Sequence, residues 1–118
     1  MVPERLDTNV AICRIRQWLD DCGGHRGCTD YLKGIITLPT RVLDLGKDPK
    51  SLDPIKLFET KGVRGTYMTL SHCWGRKTFI NTTEKTYKQR VDGILLADLP
   101  QTFKDAVSLT QNLGVQYL

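Results

Sequence analysis

Between Tyr67 and Trp74 the chain reads Tyr-Met-Thr-Leu-Ser-His-Cys-Trp, without a Lys, Arg, Asp or Glu, and then meets Gly75. An extended chain sends successive side chains to opposite faces. One face of this stretch would hold Tyr67, Thr69, Ser71 and Cys73, and the other Met68, Leu70, His72 and Trp74. Neither face carries a charge that requires water. The pattern predicts a strand over 67–74, covered on both sides as the central strands of α/β sheets are.

The flanking sequence supplies helices and a hairpin to cover it. Residues 9–22 have Asn9 as an N-cap, then Ile12, Ile15, Leu19 and Cys22 at helical spacing with Trp18 beside them, and Gly23-Gly24 as a stop. After Pro39, the run Arg41–Leu45 alternates as a strand does. Ile55–Glu59 follows as a second strand, across a turn-rich loop at 47–54, and 62–65 reads as a turn. Asn81-Thr82-Thr83-Glu84 has the form of a capping box opening a polar helix that runs to about Asp92 and closes at Gly93. Pro100 opens another helix, with Phe103, Ala106, Val107 and Thr110 on one face and Gly114 as its end, and Val115–Leu118 begins a further strand. The expected architecture is an α/β layer: an N-terminal helix, a β-hairpin, a central strand, two helices and the next strand.

A chain of 118 residues suits one domain, and 40% hydrophobic with 25% charged residues is ordinary for a globular protein. No apolar run reaches the roughly 20 residues that cross a bilayer, so no membrane partner is expected. Met1–Arg5 leads into no signal-peptide core, which predicts a cytoplasmic location. The net charge of +4 comes from 17 basic and 13 acidic residues spread along the chain. Its densest basic stretch, Lys85, Lys88 and Arg90, holds a single aromatic, Tyr87, which falls short of a nucleic-acid-binding stripe. Without a secretory signal, Cys13, Cys22, Cys28 and Cys73 read as buried thiols or metal ligands rather than disulfides.

Two groups of residues carry possible chemistry. Cys22-Gly-Gly-His25-Arg-Gly-Cys28 offers two thiols and an imidazole in a glycine-rich loop, a donor set suited to zinc. Structural zinc takes four ligands, and Cys73 or His72 supplies a fourth only if the fold brings it there. The competing reading leaves Cys22 facing the core and His25 and Cys28 in a loop. Ser71, His72, Cys73, Trp74 and Gly75 form the carboxyl end of the expected central strand, where open α/β sheets bind ligands. Trp74 would stack on a flat ligand there, or else anchor the core, and Gly75 would admit a close backbone approach, or simply turn. Adjacent strand residues face apart, so His72 does not activate Ser71 or Cys73, and a Cys73–His25 pair across the fold is less natural than packing of Cys73. Asp105 either balances the dipole of its helix or faces a ligand.

Three stretches together resemble the fungal HET (heterokaryon incompatibility) family. Trp18–Cys28 with Leu38–Asp44 is similar to the leader common in these proteins. Tyr67–Gly75 is similar to the family's first block, and Leu99-Pro-Gln-Thr-Phe-Lys-Asp-Ala106 with Leu113–Leu118 to the opening of its second. The resemblance divides the chain into a Cys/His-containing leader at 1–37, a hairpin at 38–66, and the first part of a HET domain at 67–118, truncated where the family pattern continues. It implies a TIR-like open sheet, incomplete here, with flanking helices. It also implies a module of non-self recognition and programmed cell death signalling, with protein partners and self-association. TIR relatives that cleave NAD make an NAD-cleaving enzyme the alternative, and a zinc-stabilised adaptor is a third reading. The carboxylate such cleavage needs has no convincing candidate up to Leu118, so a non-catalytic role is expected.

Overall fold

The computed structural model describes residues 8–28, 36–48, 54–73, 75–76 and 80–118. Strands β1 (Arg41–Asp44) and β2 (Lys56–Glu59) pair antiparallel, with Val42 opposite Phe58 and Leu43 opposite Leu57. The ends of the ladder set Arg41 against Glu59 and Asp44 against Lys56, so opposite charges face each other at both ends. Slipping the register by one residue would lose those pairings and turn Leu57 out of the core, which fixes the alignment. Of the turn-rich loop expected at 47–54, residues 49–53 lie outside the described residues.

Beyond β1 and β2 the two arms stay paired: the Leu38 amide donates to the Val63 carbonyl at 2.9 Å and the Gly65 amide to that of Ile36 at 3.0 Å. Arg41 pairs with Glu59 but Thr37 with Arg64, so the second arm holds one extra residue. A tight turn absorbs it. The Val63 amide donates to the Thr60 carbonyl at 2.9 Å, across Lys61 (φ 48°) and Gly62 (φ 85°), both left-handed as a type I′ turn requires. The turn therefore lies at 60–63 rather than 62–65, because the bulge sets its position. Thr60 is 1% exposed, and its hydroxyl donates to the Pro39 carbonyl at 2.7 Å.

Helix α1 spans Thr8–Gly23. Asn9 lies inside it rather than capping it. Ile12 is buried, Ile15, Leu19 and Cys22 are half-buried, and Trp18 is 61% exposed. Helix α2 (Tyr87–Asp92) starts later than the Asn81–Glu84 pattern implies. The turn before it is closed by Thr83 and Thr86 instead: the Tyr87 amide donates to the Thr83 carbonyl at 2.8 Å, and the Thr86 hydroxyl accepts the Thr83 amide at 2.8 Å. Tyr87 ties α2 to the sheet, donating to the Glu59 carboxylate at 2.8 Å beneath the Arg41 guanidinium, 5.2 Å from its ring centre.

A short 3-10 turn (Leu96–Asp98) leads through Pro100 into helix α3 (Gln101–Asn112). Gly114 (φ 78°) ends α3 in a Schellman arrangement, with the Gly114 amide donating to the Gln111 carbonyl and the Val115 amide to that of Thr110. Val107 and Thr110 are buried and Phe103 and Ala106 half-buried, the face expected from their spacing. The core groups Leu45, Ile55, Ile94, Leu99 and Val107, with Leu43, Ile80, Phe103 and Leu118 packed around them. No helix among the described residues is long and apolar enough to cross a membrane.

The last residues join the sheet. Leu43 and Leu118 exchange both backbone hydrogen bonds, at 2.8 and 3.1 Å, and the Leu45 amide donates to the Gln116 carbonyl at 2.9 Å. On its other side Tyr117 bridges Tyr67 in parallel, and its carbonyl accepts the Met68 amide at 3.0 Å. The segment 116–118 therefore lies between β1 and Tyr67–Met68. The expected strand at 67–74 is not regular: over the described residues it pairs only at its start, because 116–118 meets it only at Tyr117. Its faces are not both covered either. Thr69, Leu70, Ser71 and Cys73 are exposed, and Tyr67, Met68 and His72 half-buried. The structure is a mixed helix-and-strand fold around a two-stranded antiparallel ladder.

Tyr117 also packs across β1, its ring stacked on Phe58 with centroids 5.9 Å apart and planes 20° apart. Burial first, and then the Asp44 carboxylate, raise its phenol above the usual tyrosine value. The fold thus favours the neutral phenol. That contribution is complete below the unfolded value of about 10 and is lost as pH rises through the folded value. Two outcomes follow. Thr60→Val, which keeps the shape but removes the hydroxyl donor from the buried turn, should cost about 1–2 kcal/mol in urea unfolding. Unchanged stability would show that the Pro39 contact is idle. Tyr117→Phe should flatten the fall in unfolding free energy measured from about pH 9 to about pH 12, relative to the parent chain.

Candidate functional site

A groove of about 320 Å³ opens where the segment after Tyr67 crosses α3. Leu70 and His72 form one wall, Leu99 and Phe103 the opposite one, and Leu43 and Leu118 also line it. The sheet pairing of 116–118 and the covalent step from Tyr67–Met68 bring these walls together. His72 meets Phe103 edge to face, with ring centres 5.1 Å apart and planes at 72°. Among the described residues, no Asp or Glu side chain lines the groove. Its walls there are aliphatic and aromatic with one imidazole, an arrangement that receives an apolar group.

The residues expected at this edge separate. His72 faces the groove, whereas Ser71 and Cys73 are exposed and Trp74 lies outside the described residues. Gly75 is exposed in a turn with φ 62°, a conformation that favours glycine. Asp105 is exposed and accepts a hydrogen bond from the Gln101 amide side chain at 2.8 Å, one helical turn back. It sits past the first turn of α3, too far along for a strong interaction with the helix N-terminus. Leu43, Leu99 and Leu118 were not singled out as site residues. Their apolar character marks them as core, and only the tertiary pairing shows that they also border an opening.

The second cluster lies at the end of α1. There the chain makes two successive four-residue turns: the His25 amide donates to the Cys22 carbonyl at 3.0 Å, and the Cys28 amide to that of His25 at 3.1 Å. The turns share His25, which keeps positions 22, 25 and 28 close together. The result is convergence. The two thiol sulfurs and an imidazole nitrogen all lie within 4.8 Å of one another, with Cys22 and Cys28 half-buried and His25 exposed. A hydrogen bond with the Cys28 thiol, followed by burial, raises the Cys22 thiol above its ordinary value. All four cysteines are free thiols, and neither Cys73 nor His72 joins this group among the described residues. The expected fourth ligand is thus absent there, His72 being engaged against Phe103.

The aromatic contact in the groove is directly testable. In Phe103→Leu the His72 ring protons should move toward their unfolded chemical shifts in NMR spectra, with the amide spectrum otherwise folded. Unmoved His72 resonances would mean the two rings do not meet in solution.

No curated protein and no solved structure matches the chain. Residues 67–118 match the family model described as heterokaryon incompatibility protein (HET). The matched region contains Leu70 and His72 on one wall of the groove, Leu99 and Phe103 on the other, and Leu118 at its border. Over residues 67–118 the chain is therefore similar to the heterokaryon incompatibility (HET) family.

Proposed function

We propose that this chain acts in the cytoplasm of a fungal cell as a protein-interaction module, coupling non-self recognition at heterokaryon formation to programmed cell death. The observation that carries the reading is the coincidence of the family match with the groove. Most of the groove's lining comes from the matched residues. An opening lined, among the described residues, by apolar side chains and one imidazole favours an apolar protein side chain as its occupant. Leu70, 44% exposed at the rim, is the natural first contact for a partner, which includes a second copy of the chain.

Expression of the 118-residue chain in a filamentous fungus should lower hyphal viability. Leu70→Glu, at an exposed position where folding is little affected, should restore viability at the same protein level. Equal viability with and without the chain would sink the proposal. Release of nicotinamide from NAD by the purified chain would replace it with an enzymatic, TIR-like reading.

A further inference from the structure

We infer that Cys22, His25 and Cys28 supply three ligands of a zinc site that closes the end of α1, with water in the fourth position. Three features of one short segment support the site. The donors are gathered before any ion is present: their ligand atoms lie within 4.8 Å of one another, and a small closure of the side chains brings them to the roughly 3.6–3.8 Å that separates ligand atoms around one tetrahedral ion with Zn–S and Zn–N distances of about 2.3 and 2.1 Å. Two consecutive backbone turns, at Cys22–His25 and His25–Cys28, hold the three residues close together. Two thiolates and an imidazole are soft and borderline donors, which select zinc over magnesium or calcium.

Binding displaces the thiol protons of Cys22 and Cys28 to solvent and leaves the oxidation state of sulfur and metal unchanged. The competing chemistry is a Cys22–Cys28 disulfide, which needs an oxidant and would close without His25. The two differ in their dependence on His25 and on reducing conditions.

The test uses the whole chain under reducing conditions, with Co(II) as a spectroscopic substitute and Zn(II) as a protecting ion. Co(II) should give intense tetrahedral ligand-field bands and a thiolate-to-cobalt charge-transfer band. That band should weaken in Cys22→Ser, Cys28→Ser and His25→Asn but persist in Cys13→Ser, Cys73→Ser and His72→Asn. With free Zn(II) at about ten times its dissociation constant, alkylation of Cys22 and Cys28, read by mass spectrometry, should slow about tenfold while Cys13 and Cys73 react as before. Circular dichroism of each variant checks that the helices remain. Weak octahedral cobalt spectra, equal alkylation of all four thiols, or full metal binding by His25→Asn would each overturn the assignment.

Discussion

The reciprocal backbone pair between Leu43 and Leu118 is the contact on which the arrangement turns. Two hydrogen bonds of 2.8 and 3.1 Å contribute only about 1 kcal/mol each, net of the water they displace. Their geometric consequence is larger. They set 116–118 alongside β1, which places Tyr117 where its carbonyl can accept the Met68 amide and its ring can stack on Phe58. Residues far apart in sequence, 43, 68 and 118, thereby come onto one surface, and the stretch after Met68 is led across α3. Without this pair the two walls of the groove would have no common frame, since one follows Tyr67–Met68 and the other belongs to Leu99 and α3.

The sequence is most informative where a local rule and the tertiary environment agree. The α3 face of Phe103, Ala106, Val107 and Thr110 is readable because helical spacing and burial coincide, and Gly114 is readable as its end because a Schellman stop needs a left-handed residue there. The stretch 67–74 shows where such reading stops. Absence of charge records tolerance of burial, but a ladder also needs a partner of matching length, and nothing in the local sequence states how far that partner runs. A similar gap explains α2. Asn81–Glu84 has the capping-box letters, yet the Thr86 hydroxyl accepts the Thr83 amide two residues later, because several polar side chains nearby compete for these amides and docking of Tyr87 on Glu59 fixes where the helix begins.

The two candidate sites were legible to different degrees for a physical reason. Cys22, His25 and Cys28 lie within one loop, so their spacing and local turns suffice to bring them together. The groove is made by residues from β1, the segment after Tyr67, the approach to α3, α3 itself and the chain's last residue. Its existence depends on long-range pairing, and only His72 among its lining was visible as a chemical residue. The structure also changes what His72 means: set edge to face against Phe103 at 5.1 Å, it serves as part of an apolar wall rather than as a base for its neighbours Ser71 and Cys73.

The sites are connected through α1. Arg16 donates a hydrogen bond to the Asn112 carbonyl at the last residue of α3, an end where carbonyls lack helical partners and positive charge is favoured. Cys22 lies six residues farther along α1, about 9 Å at the helical rise. The contacts that seat α1 include this one bond and the burial of Ile12, which is modest anchorage for a helix whose Val10 and Trp18 face solvent. An ion held at its carboxyl end would restrict the loop that follows and, through it, the orientations α1 can take against α3.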